Sequence, residues 1–405
     1  MRIKAFKALR PTPDVAHQVA SVPYDTVNTD EARTLSENNP KSFLRIVRPE
    51  INLPSTADLS SQDIFAVAKE KFREFQEKGF LVRETEPSIY VYRLKKSDHE
   101  QYGIVMCCHI EDYENNVIRR HEKTREKPRL ERARHVETLN ANTGPIFMTH
   151  KANPHVNQLV LEIVSSPPMY DFTSADNIQH TIWRTANCTK LVDAFDSIPV
   201  CYIADGHHRS AAAFDTGVQK RTANPRHTGE EEYNWFLSIL FSADQLQVLP
   251  YNRCVQDLNG MEPEEFMEAI KSSFGIQETA QPEPARPGTI CMYLKKKWYE
   301  LTCPTNKDND PVSCLDVSVL QEHLLSPVLG IQDPRTDKRI EFVGGIRGTD
   351  ELKKRVDQGM AAVAFSMYPV SVDQIMAISD AGKIMPPKST WFEPKPRSGL
   401  LIHTL

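Results

Sequence analysis

No stretch of about 18 uninterrupted apolar residues occurs in this 405-residue sequence, so nothing in it reads as a membrane-spanning helix. The start, MRIKAFKALRPTPD, is basic but lacks the apolar run of roughly 7–15 residues that a secretory signal requires, and the expected compartment is the cytoplasm. C-x-x-C spacing is missing among the eight cysteines (Cys107, Cys108, Cys188, Cys201, Cys254, Cys291, Cys303, Cys314), which mostly sit in apolar, strand-like runs. Free buried thiols are expected, not a disulfide framework. H-E-x-x-H is missing too, and no G-x-x-x-x-G precedes a Lys-Ser/Thr pair, which removes the helical zinc site and the Walker A loop. There is no concentrated basic block: 49 Lys and Arg against 54 Asp and Glu give a formal charge of −5 with both signs interspersed. Neither nucleic acid nor a membrane is expected as a partner. No internal repeat is evident.

What is present is an ordinary globular composition, 40% hydrophobic and 25% charged, at a length that suits two or three compact units. DEARTLSENN, with Asp30 and Glu31 in a first turn, and SQDIFAVAKEKFREFQEKGFLV, apolar at three- and four-residue spacing, predict helices. SIYVYRL, YGIVMCCHI, QLVLEIV, VCYIA and FLSILF predict strands. The alternation gives a mixed α/β class, a mixed sheet with flanking helices. The proline-rich QPEPARPG ending at Gly288 reads as a linker or exposed turn, followed by a hairpin in TICMYLKKKWYELTC. The expected division is a core at 1–275 and a smaller α/β unit at 276–405. The tail, MPPKSTWFEPKPRSGLLI, has four prolines and no helical period, and is expected to run extended, held by contacts elsewhere and returning to the active site.

One stretch concentrates chemistry. In VCYIADGHHRSAAAF an apolar run gives way, through Asp205, Gly206, His207, His208 and Arg209, to Ser210 and an alanine-rich segment. This predicts a turn from a strand into a helix. The first turn of a helix has unpaired N–H groups and partial positive charge, which suits a phosphate or carboxylate. Gly206 lets the backbone approach, Arg209 offers a two-pronged fork, and His207 and His208 can donate to oxygens or move protons. Asp205 suits either a proton or a Mg²⁺ ion. An N-cap and a plain turn are the bland alternative.

Other clusters fit the same chemistry. SVPYDTVNTDEA supplies Asp25, Asp30 and Glu31; a carboxylate there can take a hydroxyl proton, or simply cap a helix. RRHEKTREKPRLERARH divides in two: Lys127, Arg129, Arg132 and Arg134 read as an exposed helix among glutamates, whereas Arg120, His121, Glu122 and Thr124 follow a strand-like NNVI and suit phosphate or metal. NTGPIF reads as a turn into a buried strand, with Asn142 either a ligand or, the preferred reading, structural. In MPPKST, Lys388, Ser389 and Thr390 bring an ammonium and two hydroxyls to a proline-stiffened backbone, suited to phosphate or an amino-acid carboxylate.

ADGHHRSAAA resembles the phosphate-binding signature of the ParB/sulfiredoxin fold, and more closely the D-G-H-H-R form of free L-serine kinases. Longer blocks, ALRPTPDVAHQVASVPYDTVNTDEARTLSENNPKSFLRIVRPE, IRRHEKTREKPRLERARHVETLNANTGPIF and MAISDAGKIMPPKSTWFEPKPRSGL, resemble the domain-of-unknown-function family 1015, over nearly the whole chain. The resemblance implies a ParB/sulfiredoxin-like nucleotide-binding core with added α/β elements. It also implies ATP or ADP with Mg²⁺, bound by Asp205 and Glu122, and phosphorylation of free L-serine to O-phospho-L-serine. Gly206, His208, Arg209, Ser210, Arg120, His121 and Thr124 would hold the nucleotide phosphates, and Lys388, Ser389 and Thr390 the substrate. Asp205 and His207 would join the catalytic group. Glu31 looks like the counterpart of the kinases' amino-terminal glutamate base, with Asp25 its rival. A homodimer is compatible with this reading. A sulfiredoxin-like reductase would need a cysteine in the loop where His207 and His208 stand, and a ParB-like DNA switch a basic helix-turn-helix. A nucleotide-binding regulator or nucleotide hydrolase without a small-molecule acceptor is the alternative.

Overall fold

The computed structural model describes residues 1–56, 63–304 and 310–405, so Ser61 and Gln62 of the second expected helix lie outside it. The chain gathers into two compact units, Met1–Leu246 with Pro394–Leu405, and Gln247–Glu393.

The first unit is built on a mixed sheet of nine strands among the described residues: β1 (Ile3–Lys4), β2 (Ile89–Lys96), β3 (His99–His109), β4 (Ile118–Arg119), β5 (Ile146–His150), β6 (Tyr170–Thr173), β7 (Gln179–Thr185), β8 (Cys201–Asp205) and β9 (Trp235–Ser242). They lie in the order β4-β8-β5-β9-β3-β2-β7-β6, with β1 added along β3. β8 runs parallel to β4 and antiparallel to β5, and β9 runs parallel to β5 and antiparallel to β3. The continuous apolar character of VCYIA has its reason here: Cys201, Tyr202 and Ile203 are buried on both sides of an interior strand. Ile104, Met106, Ile146, Met148, Cys201, Ile203, Phe236 and Leu240 join one core, each fully buried side chain worth ~1.5–3 kcal/mol.

Helices of this unit include α1 (Thr29–Ser36), α2 (Ile64–Glu77), α3 (Glu126–Leu139), α4 (Pro154–Val164) and α5 (His207–Ala223). The expected strand QLVLEIV is instead most of α4. Pro154 occupies its first turn, the Asn153 side chain accepts from the His155 and Val156 N–H groups, and Val156, Leu159 and Val160 bury one helical face. The strong start signal and that spacing overrule the β-branched composition. Of the eight cysteines, Cys107, Cys108, Cys201, Cys254 and Cys291 are buried and Cys314 is exposed.

The second unit carries a six-stranded sheet of β10 (Tyr251–Val255), β11 (Gly275–Thr279), β12 (Thr289–Leu294), β13 (Lys297–Thr302), β14 (Ile340–Gly344) and β15 (Val363–Met367), ordered β11-β13-β12-β15-β10-β14. β12 and β13 form the expected hairpin, with Lys295 and Lys296 both at positive φ (46° and 63°), the handedness that two-residue hairpin turns require. QPEPARPG connects β11 to β12 inside this unit, and residue 276 falls within β11. Pairing of β10 with β14 and β15 draws the chain from Gln247 onwards into the second unit.

The tail segment Pro394–Leu405 packs in the first unit as an extended strap. Ser398 and Ser21 exchange backbone hydrogen bonds, as do Ile402 and Leu9, and the Arg397 guanidinium donates to Asp176, Ser174 and His180. No helix of the described residues is long and apolar enough to cross a membrane.

Candidate active site

Strand β8 does not end cleanly. Its register with β5 shifts between Ile203 and Asp205, a bulge that re-aims the side chain at the strand end. Gly206 follows at φ 97°, ψ 31°, a left-handed conformation, and α5 begins at once. The Ser210 N–H closes the first helical hydrogen bond to the Gly206 carbonyl at 2.9 Å, so the amides of 206–209 form the open first turn of a 17-residue helix. Gly206 is required twice over: a Cβ there would stand 3.0 Å from Arg209 Cζ and Nε, in a backbone region costly for other residues. Gly206→Ala should therefore cost about 2 kcal/mol in urea unfolding; an unchanged midpoint would mean that the turn relaxes.

Charges gather on this turn. The Asp205 carboxylate accepts at Oδ2 from Arg209 Nη2 (3.3 Å) and from Lys395 Nζ (3.1 Å), the lysine arriving from the tail strap. Burial alone would push the Asp205 carboxyl up; Lys395 and Arg209 outweigh it and hold the group below the ordinary carboxylate range. Arg209 also donates to the Pro145 carbonyl. Burial opposes its charge, and Asp25, Asp205 and Tyr24 act against that to hold it protonated, so Asp25 lies within electrostatic reach of the loop. Ser210 is buried, its hydroxyl spent on the His207 carbonyl (3.0 Å).

His207 and His121 form a buried pair, 4% and 3% exposed, their rings perpendicular with centroids 4.5 Å apart. Burial drives both into the neutral form, His121 down to about 4 and His207 well below its usual value, the latter with a further push from His121. Proton traffic through them at neutral pH starts from imidazole, not imidazolium. His207 Nε2 and His121 Nδ1 are buried without a hydrogen-bond partner among the described residues. His208 Nε2 accepts from the Arg125 N–H at 3.1 Å, which puts its proton on Nδ1. Glu122, half exposed, lies 3.6 Å from His207 Nδ1, and the Arg120 guanidinium stacks 4.7 Å from the Tyr113 ring, within electrostatic reach of His207. Thr124 is half-buried beside this run.

The two amino-terminal acids differ. Glu31 is the N3 residue of α1 and closes a capping box: Asn28 Oδ1 accepts from the Glu31 N–H (2.9 Å), and the Glu31 carboxylate accepts from the Asn28 N–H (2.9 Å). Asp25 is exposed and has neither a hydrogen bond nor an ion pair among the described residues. Lys388, Ser389 and Thr390 belong to the second unit, where Ser389 Oγ donates to the Pro386 carbonyl (2.7 Å) and Lys388, at φ 54°, lies over the Tyr251 ring. Arg132, expected on an exposed face of α3, is largely buried against Tyr24, whereas Arg129 pairs with Asp215 and Arg134 with Asp63 in the open. Its helical neighbours gave no sign of this, because α3 alternates charges around its whole circumference. Lys395 was visible as a residue of the tail block that carries the family resemblance, with nothing in the sequence to name Asp205 as its partner.

Residues 3–318 match the family described as "Protein of unknown function (DUF1015)". The chain belongs to this family. The span matched by DUF1015 contains Asp25, Glu31, the 120–124 run and the 205–210 loop, and stops short of Lys395. No curated protein matches the chain. Among solved structures, a free serine kinase mutant in complex with AMP is 13% identical with a TM-score of 0.39, covering 73% of this DUF1015 chain and 91% of its own. SbnI with a C-terminal truncation, from Staphylococcus aureus, is 12% identical with a TM-score of 0.40, covering 74% and 87%. A conserved hypothetical protein from Pyrococcus furiosus is 14% identical with a TM-score of 0.37, covering 73% and 94%.

Proposed function

We propose that the protein is a small-molecule phosphotransferase with a ParB/sulfiredoxin-like nucleotide-binding core. It moves a phosphoryl group from ATP or ADP to the hydroxyl of free L-serine, giving O-phospho-L-serine. The observation that carries this reading is the Asp205–Ser210 turn: a left-handed glycine opening a long helix, with Asp205, Arg209 and Lys395 drawn together at its mouth. Open amides at a helix start, beside two cations, favour phosphoryl oxygens.

Phosphoryl transfer asks little covalent chemistry of the protein; it asks for position and for charge to meet charge. Amides of the first turn would bind the donor phosphates, Arg209 and Lys395 would offset the charge that spreads over the transferred group, and Arg120 and Thr124 would border them. Asp25 is the base favoured by geometry, since its carboxylate is uncommitted while that of Glu31 caps α1. Asp25 takes the hydroxyl proton as the acceptor oxygen bonds to the terminal phosphorus. The bond from that phosphorus to the bridging oxygen breaks, and the nucleotide leaves with the electron pair.

Among the described residues no three His, Cys, Asp or Glu side chains gather as a metal site. Mg²⁺ needs less than that when phosphates are present, usually one or two carboxylates and several waters. Both cations on Asp205 reach Oδ2, which leaves Oδ1 for such an ion, with Glu122 the second carboxylate. When bound, the ion would supply charge neutralisation on the phosphates.

Phosphorus NMR tests the reading: protein, Mg²⁺ and ATP or ADP in separate tubes, with L-serine, D-serine, threonine, homoserine, glycerate or inositol. A new phosphomonoester resonance with L-serine is expected. Nucleotide binding or hydrolysis with no acceptor phosphorylated would remove the kinase reading and leave a hydrolase or regulator.

A further inference from the structure

Beside the phosphate loop, within the first unit, lies a cavity of about 30 Å³ bordered by Tyr24, Arg132, Asn142, Gly144, Arg209 and Ser398. Two arginines and no aspartate or glutamate line it. Arg132 stacks its guanidinium 4.0 Å from the Tyr24 ring centroid, and makes no hydrogen bond or ion pair among the described residues. Stacking engages the faces of the fork and leaves its N–H edges unpaired. The Asn142 amide and the Ser398 hydroxyl, both on buried residues, likewise have no side-chain hydrogen bond among the described residues. Asn142 and Ser398 are more than nine-tenths buried, and with the half-buried Arg132 they bring three unpartnered polar groups to one small space, a place built around a ligand.

The cavity's chemistry defines that ligand. Burial disfavours the Arg132 charge, and Tyr24, Asp25, Glu131 and Glu50 only partly offset this. His135, also on the wall, is neutral: burial holds it down to about 3 and its Nε2 faces the Ile46 carbonyl at 3.1 Å. An anion is the missing complement. The volume suits the two oxygens of a carboxylate, close to the space of one or two waters, and not a nucleotide. Arg209 borders both the cavity and the phosphate loop, so a group held here stands next to the transferred phosphoryl.

We infer that this cavity takes the carboxylate of the phosphoryl acceptor, with Arg132 as its charge partner and Asn142 and Ser398 as added hydrogen-bond donors. Its acceptors are therefore small hydroxy or amino acids, not neutral alcohols. The inference rests on the phosphotransferase reading for the fate of the hydroxyl, while carboxylate binding can be measured without turnover.

The experiment is calorimetric titration of the ADP-loaded protein with two carboxylates, L-serine and glycerate, and with their carboxylate-free analogues, L-serinamide and glycerol. Wild type, Arg132→Met and Arg132→Lys are compared, with circular dichroism to verify folding. At least one carboxylate should bind wild type tenfold or more tightly than its analogue. Arg132→Met should reduce that preference to about twofold with ADP affinity unchanged, and Arg132→Lys, which keeps the charge and loses the fork, should fall between. Should Arg132→Met fail to fold, the loss in Arg132→Lys decides. A wild type that binds neither carboxylate, or that binds both analogues equally well, overturns the inference, as does a preference that survives the substitutions or a parallel loss of ADP affinity. Carboxylate binding through Arg132 without any phosphomonoester would leave the inference standing and remove the kinase; phosphorylation with an unchanged KM in Arg132→Met would do the reverse.

Discussion

Asp205→Asn is expected to unfold about 2 kcal/mol more easily in urea and to lose roughly 100-fold in phosphoryl transfer. The carboxylate is an anion that both Arg209 and Lys395 contact, and it is 28% exposed. Breaking a buried ion pair from one side costs ~3–5 kcal/mol, and partial exposure reduces that. The larger effect is on geometry: Asn leaves two neighbouring cations to repel, and displacing positioning groups by about 1 Å costs on the order of 100-fold in rate. A pH series gives a second readout. Since Asp205 is held below its unfolded value of about 3.9, the unfolded state binds more protons between the two values, and stability rises with pH there. The contribution is complete above the unfolded value and is lost as pH falls through the folded one. Wild type should thus lose stability faster than Asp205→Asn below about pH 4. Parallel pH curves, or a variant of wild-type stability and rate, would mean that Asp205 neither holds the two cations nor supports transfer.

Much of this arrangement was readable from the chain because it is local. β8, the left-handed glycine and α5 follow from an apolar run, a D-G pair and an alanine-rich segment, all within fifteen residues. Local pattern likewise gave β2, β3, β9, α1, α2 and the β12-β13 hairpin. α4 was misread since a short β-branched run is ambiguous until its Asn-Pro start is weighed. What local pattern cannot carry is long-range delivery. Lys395 reaches Asp205 across 190 positions because Arg397, two residues on, is locked into Asp176 and His180 and fixes the strap. Arg132 turns inward on a helix whose pattern names no buried face. The division at Gln247, and not after residue 275, depends on β10 pairing with strands about a hundred residues later.

Asp25→Asn and Glu31→Gln separate Glu31, the carboxylate that the family resemblance favours as base, from its rival Asp25. If Asp25 takes the hydroxyl proton, Asp25→Asn should reduce turnover by about 10²–10⁴ with ADP affinity nearly unchanged, as removal of a general base does. Asp25 is exposed and bears no hydrogen bond among the described residues, so stability should move by less than about 0.5 kcal/mol. Glu31→Gln is expected to behave in the opposite way. Glutamine can still complete the capping box, so the helix start survives with a loss of at most ~0.5 kcal/mol, and turnover stays near wild type. The physical reason is commitment: a carboxylate oxygen already accepting an N–H at 2.9 Å is a weaker base, and must give up that bond to take a substrate proton. Single-turnover phosphorus NMR with each variant decides between them. Turnover abolished by Glu31→Gln and kept by Asp25→Asn would return the base to Glu31, and would mean that the capping box opens when the acceptor binds.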